Sequence, residues 1–261
     1  VRLGAASSNI QVMNSALRAK QVPGTPCLVD CFTRSTAALE RETRRSGPFV
    51  RFLSHFHGDH YSGLSADWDE GVVHCSPITA VLLREVMGVR ADLVQPHPVG
   101  EPFELGDCTV TLVNANHCPG AVLLLFELKN QGPVYLHCGD MRYSPTMKDD
   151  PVLINARHRI DTIFLDTTYA HPNHVFPSQQ ETIDRAVSGL RDFIAKDPAA
   201  KHLVLISAYT IGKERVVAGI CKAMGYDRVH LGERKAKVIG CLELADSDLF
   251  VQDPSATVHV C

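Results

Sequence analysis

The sequence predicts an α/β protein in two parts, on three observations. Short runs rich in Val, Leu, Ile and Phe recur through residues 23–160 with one helical pattern among them. From residue 161 onward, strand-type and helix-type segments alternate. The 261 residues are 45% apolar and 21% charged, which is ordinary globular composition and excludes disordered, collagen-like and small disulfide-stapled classes. The first pattern implies a strand-dominated layer under helical cover, and the second a parallel sheet.

In chain order, residues 1–22 carry little pattern and are expected to form a variable N-terminal segment. Pro23-Gly24-Thr25-Pro26 then punctuates the first apolar run, Cys27 to Phe32. Further strands are expected at Phe49 to Leu53, Val72 to Cys75, Cys108 to Val113, Ala121 to Leu128 and Val134 to His137, with a helix from Pro77 to Met87. In the second part, 161–261, strands at Thr162 to Leu165, Leu203 to Ile206 and Arg228 to Leu231 alternate with helices at Ser178 to Ala195 and Gly212 to Met224. The first of these helices is well signalled. Ser178-Gln179-Gln180-Glu181 fits a capping box, and Ile183, Ala186, Val187, Leu190, Phe193 and Ile194 fall on one face.

Charge and cysteine content narrow the class. Lys+Arg 26 against Asp+Glu 29 gives a net charge of −3, so no global basic charge advertises a nucleic-acid partner. The longest purely apolar run, Ala121 to Phe126, is far short of the ~20 residues of a membrane span, which predicts a soluble protein with no membrane partner. Nine scattered cysteines, odd in number and without a Cys-x-x-Cys pair, predict a reduced intracellular compartment. Cys27 and Cys31 read as buried small residues. The chain starts at Val1 without a secretory pattern and is expected to be a fragment of a longer product.

The informative segment is Phe52-Leu53-Ser54-His55-Phe56-His57-Gly58-Asp59-His60-Tyr61, where a strand ends and four potential metal ligands follow within six positions. Imidazole nitrogens and carboxylate oxygens suit zinc and its first-row neighbours. His55 and His57 alternate with Phe56, so in extended chain they share a face while Phe56 turns into the core. Gly58 then permits a turn that aims Asp59 and His60 at a second position. At this composition His-x-His-x-Asp-His arises by chance in roughly two per thousand such chains. Two other strand ends add ligand types: Asn114-Ala115-Asn116-His117-Cys118-Pro119-Gly120 presents His117, and His137-Cys138-Gly139-Asp140 presents Asp140.

These three segments resemble the successive metal motifs of the metallo-β-lactamase fold. Phe164-Leu165-Asp166-Thr167-Thr168-Tyr169, Phe176-Pro177-Ser178-Gln179-Gln180-Glu181 and Tyr209-Thr210-Ile211-Gly212-Lys213-Glu214 are similar to the β-CASP nucleases of DNA interstrand cross-link repair, relatives of Artemis and Apollo. The resemblance spans roughly Pro23 to Leu242. It implies an α/β architecture: a metallo-β-lactamase αββα sandwich, its first part in 23–160, carrying a β-CASP domain of βαβ type in 161–261. It also implies two metal positions at the sandwich edge. His55, His57 and His117 would hold one metal, Asp59 and His60 the other, and Asp140 would bridge. Zinc is the implied ion in one or both positions, with another divalent metal admitted at the second. Two such ions about 3.5–4 Å apart can activate a shared water and neutralise charge at a phosphodiester.

The implied function is a 5′-to-3′ DNA exonuclease working in the nucleus on DNA with a 5′ end, damaged or cross-linked, with Asp59, Asp140 and Asp166 as catalytic carboxylates. Asp30 matches another acidic position of the family and is expected to orient ligands. Lys213 opens a helix and is weighed as a phosphate contact against a solvated lysine. His137 reads as a packed core residue, His171 and His174 as an exposed loop, and the Arg41 to Arg45 cluster as a solvated face. Members of this branch carry a further histidine motif after the inserted domain, and this chain ends at Cys261 before anything resembling it, so the sandwich is expected to be truncated. His259 does not match that motif. The alternatives are a β-CASP RNA-processing nuclease, a small-ester or lactam hydrolase, and a catalytically silent scaffold that binds DNA ends or partners. Asp166-Thr167-Thr168-Tyr169-Ala170 departs from the Glu-Ser-Thr-Tyr-Gly common in the RNA-processing branch and favours DNA.

Overall fold

The computed structural model describes residues 20–33, 36–43 and 47–261. Most of the segment expected over 1–22, and Arg44 and Arg45 of the basic cluster, lie outside the described residues. Lys20 to Val22 are described and packed: Val29 N–H donates to the Lys20 carbonyl at 2.7 Å and Val22 is fully buried. The packed chain therefore includes residues before the Pro-Gly punctuation at residue 23.

The first sheet is parallel, with β1 (Cys27–Val29), β2 (Val50–Phe52), β3 (Val73–Cys75) and β4 (Val94–Pro96) in that order. The second runs β5 (Pro102–Leu105), β6 (Cys108–Asn114), β7 (Val122–Leu128), β8 (Val134–His137) and β9 (Ile160–Phe164). It is antiparallel until its last pair. The apolar run of β7 is explained by strand alternation. Val122, Leu124 and Phe126 face the first sheet, where Cys27, Val29 and Phe52 meet them. Leu123 and Leu125 face the opposite way, onto Ala156 of helix α3 (Pro151–Ala156). Helix α1 (Thr36–Thr43) and helix α2 (Pro77–Val81) belong to the first-sheet half of the chain. α2 widens into a π-helical turn over Leu82–Met87 where a single helix is expected, and Leu82 and Leu83 pack with Leu53, Val73 and Cys75 on the outer face of the first sheet. The layers are helix, sheet, sheet, helix.

A third sheet, also parallel, has the order β10 (Val204–Ile206), β13 (Val258–Val260), β11 (Val229–Leu231), β12 (Phe250–Val251). Helices α4 (Gln179–Ala195), α5 (Glu214–Met224) and α6 (Glu233–Gly240) accompany it. The capping box of α4 is present: Ser178 Oγ accepts from Glu181 N–H, and Glu181 Oε2 accepts from Ser178 N–H at 2.7 Å. Its expected apolar face is only partly covered, for Val187 is buried while Phe193 is 59% exposed.

One expectation about strand pairing is corrected. Thr162 to Leu165 does not open the parallel βαβαβ sheet; β9 pairs in parallel with β8, Tyr135 opposite Thr162 and His137 opposite Phe164. The crossover through α3 returns the chain beside β8, where Phe164 packs on Tyr135, so the pairing continues across the expected boundary at 160/161. The apolar run at Val258–Val260, unassigned from sequence, takes an interior place in the third sheet. Val217, Cys221, Val229, Leu231 and Val258 share one buried cluster with Leu53, Phe56, Trp68 and Leu83. That shared core fixes the third-sheet unit against the loops that follow β2.

Candidate metal centre

The site is built where strands of the two sandwich sheets end. Past β2 the chain stays buried through Phe56, which sinks into the core and leaves His55 and His57 with ring centroids 4.6 Å apart. The next turn is closed by His60 N–H and Tyr61 N–H donating to the His57 carbonyl at 3.1 and 3.0 Å. Gly58 is not in the left-handed region, so the turn owes its shape to this carbonyl rather than to glycine. The β6–β7 loop delivers His117, with Asn116 N–H held by Asn114 Oδ1 at 2.7 Å. The end of β8 delivers Asp140 after Gly139, at φ 52°, where an added Cβ would meet Ser54 Oγ at 2.8 Å. A close approach of backbone to Ser54 therefore requires glycine there.

His55 Nε2 lies 2.9 Å from His57 Nδ1, and His117 Nε2 lies 3.2 Å from the same atom. Asp140 Oδ2 completes the group at 3.8 Å from His55 Nε2 and 3.7 Å from His117 Nε2. Ligand atoms around a tetrahedral zinc at about 2.0–2.1 Å sit about 3.3 Å apart, so these edges fit one such ion. Among the described residues, His55, His57, His117 and Asp140 are the group whose ligand atoms converge, all within 4.8 Å. On the other side, Asp140 Oδ1 lies 3.2 Å from His60 Nε2, and Asp59 Oδ2 lies 3.7 Å from that nitrogen. Asp59 is 81% exposed, so this side is open.

The hydrogen bonds behind the rings decide which nitrogens face inward. Ser54 Oγ–H donates to Asp30 Oδ2 at 2.7 Å, so His55 Nδ1–H is the donor to Ser54 Oγ at 2.9 Å and Nε2 keeps its lone pair. The Ile211 carbonyl can only accept, so His57 donates through Nε2–H at 3.0 Å and turns the Nδ1 lone pair to the site. His60 Nδ1–H donates to Asp30 Oδ2 at 2.7 Å. Asp30 thereby orients His60 directly and His55 through Ser54, as ligand histidines require.

Electrostatics separate the two sides. Burial, with the neighbouring histidines, holds His55 down at about 3, and burial also lowers His117. Burial opposes charge on His60 too, but its hydrogen bonds to Asp140 and Asp30 outweigh it and push the ring up to about 10. The hydrogen bond from His60 holds Asp140 down at about 2. Asp30, although buried, is also held below the usual carboxylate range by His60 and Ser54.

Asp166 lines a cleft of about 510 Å³ together with Lys20, Asp30, Asp59, His60 and Asp140, and its Oδ1 accepts from Thr168 N–H at 2.8 Å. Lys213 adopts φ 68° and lies over the Tyr209 ring, 5.1 Å from its centroid. His137 is buried, while His171 and His174 are exposed. Sequence reasoning missed Ser54 and Ile211. Ser54 adjoins the histidine motif and was open to notice; the Ile211 contribution is a main-chain carbonyl, which leaves no side-chain signal.

Residues 26–203 match the family model for the β-lactamase superfamily domain. The chain is 39% identical over 206 residues to the DNA cross-link repair protein SNM1 of Arabidopsis thaliana, covering 79% of this chain and 40% of that one. It is 37% identical over 205 residues to the 5′ exonuclease Apollo of Gallus gallus, covering 78% of this chain and 41% of the relative. A protein of unknown function from Enterococcus faecalis V583 shares the fold, with a TM-score of 0.52 at 14% identity over 83% of this chain and 59% of that structure. The chain thus spans about 40% of the length of the plant and avian relatives.

Proposed function

The chain belongs to the β-lactamase superfamily, and from that premise we propose that it is the metal-binding part of a DNA nuclease that acts from a 5′ end in interstrand cross-link repair in the nucleus. The observation that carries this reading is the convergence of His55, His57, His117 and Asp140 in a chain 39% identical to a cross-link repair protein. The 5′ polarity rests on the likeness to the avian 5′ exonuclease.

In this reading His55, His57 and His117 would hold one zinc, Asp59 and His60 would hold a second divalent ion, and Asp140 would serve both. Bound ions there supply an activated water and neutralise charge at a scissile phosphodiester. The protein's own residues do the rest. Asp30 and Ser54 fix two ligand rings, and Ile211 fixes a third. Asp59 and Asp166 stand on the walls of the cleft, and Asp166 is held by its own turn, its Oδ1 accepting from Thr168 N–H. Lys20, whose Nζ donates to the Asp30 carbonyl at 2.6 Å, places positive charge at the same cleft. With a net charge of −3, DNA affinity depends on such local charge and weakens with added salt. The division into a metallo-β-lactamase part and a β-CASP part belongs to the same reading, with the β-CASP part starting beyond Phe164.

The test is a side-by-side assay of the full-length parent on labelled 5′-phosphorylated DNA, matched RNA and a chromogenic lactam. DNA degraded from the 5′ end and faster than RNA supports the proposal. A better rate on RNA or lactam overturns it.

A further inference from the structure

In the segment 209–214 the sequence draws attention to Lys213, yet the buried anchor is the next residue. Glu214 Oε1 accepts from Gly212 N–H at 2.9 Å and from Lys235 Nζ at 3.0 Å, with the two side chains only 5% and 14% exposed. Lys235 Nζ also donates to the carbonyls of Tyr209 at 2.9 Å and Thr210 at 3.1 Å. Ile211 between them is 1% exposed in the shared core. The loop is therefore tied down on both sides of the residue whose carbonyl takes the His57 Nε2–H at 3.0 Å.

We infer that Lys235 and Glu214 are positioning residues for His57: they hold the 209–213 loop so that the Ile211 carbonyl keeps His57 as its Nε2–H form, with Nδ1 free for an ion. This rests on the metal centre proposed above. A buried ammonium that satisfies a carboxylate and two carbonyls is a costly arrangement for a loop tie, since apolar packing would close a loop as well. It is accounted for by the need to aim one carbonyl. The arrangement also makes ligand geometry in the sandwich depend on a helix of the third-sheet unit, because Lys235 sits in α6.

The test compares Lys235→Met, Lys235→Arg and Glu214→Gln with wild type in the same chain. The imidazole nitrogen resonances of His57 in the metal-free protein, assigned with a His57→Gln control, report the tautomer. Zinc and cobalt affinity, from competition with a chelator, reports the consequence. Expected are a single Nε2–H form in wild type, a mixture in Lys235→Met with about 10–100-fold weaker zinc binding, and substantial recovery in Lys235→Arg. If Lys235→Met does not fold, Glu214→Gln is read in the same way, with a smaller loss. A folded variant with the wild-type tautomer and affinity overturns the inference, as does a fall in melting temperature alone. A wild-type chain that takes up neither metal sinks the metal reading instead, and the tautomer comparison still decides the role of Lys235.

Discussion

On one side of Asp140, three imidazoles bring ring nitrogens toward a common point, those of His55 and His57 with lone pairs set by the hydrogen bonds behind them, and burial holds His55 down at about 3. On the other side, His60 sits between two carboxylates, is pushed up to about 10 and keeps a proton on the nitrogen that faces Asp140, while Asp59 stands in solvent. An ion entering the first position meets ready acceptors. One entering the second must displace the His60 proton and gather an exposed carboxylate. The same family of side chains thus gives a preorganised half and a half closed by an ion pair, and the difference lies in what stands behind each ring.

The largest expected effect falls on the group the halves share. Asp140→Asn removes the carboxylate from both, and elemental analysis is expected to show metal falling to background, a greater loss than for any single histidine. Retained stoichiometry with normal hydrolysis would show that the halves are independent. Asp30→Ala comes next, because it strips His60 of a buried partner and Ser54 of its acceptor. Urea unfolding should register a loss of about 3–5 kcal/mol, the cost of breaking a buried ion pair. A loss under about 1 kcal/mol would mean that the His60 pair is not a stabilising one. Ser54→Ala is the smallest and the most selective. It cuts the 2.9 Å link to His55 Nδ1 while His60 loses no more than a 3.5 Å contact and keeps Asp30, so about 1 kcal/mol of stability and about tenfold in zinc affinity at the three-histidine side are expected to go. Equal weakening on both sides would erase the distinction.

Much of this was legible in the chain because His55, His57, Asp59 and His60 are neighbours in sequence and the remaining ligands stand at strand ends marked by Pro, Gly or Asn. The apolar runs likewise named β6, β7 and β8. What stayed hidden depends on long separations. Nothing in Thr162 to Leu165 tells that its partner is β8 rather than β10, since a parallel register is set by the crossover helix and by which edge is free. Short strands such as Val94–Pro96 carry too few residues for alternation to show. Lys235 and Glu214 lie 21 residues apart and meet only once α5 and α6 have packed.

The double-sided burial of β7 has a consequence for local opening. Its amides lie in a ladder flanked on both sides, by β6 and β8, and Val122 to Phe126 are covered on both faces. Hydrogen exchange there requires the whole sandwich to come apart, whereas the loops bearing His117 and Asp140 hang from its neighbouring ends. Opening of those loops need not break the β7 ladder, so local opening at the metal-bearing edge and unfolding of the layer that carries it are separate events.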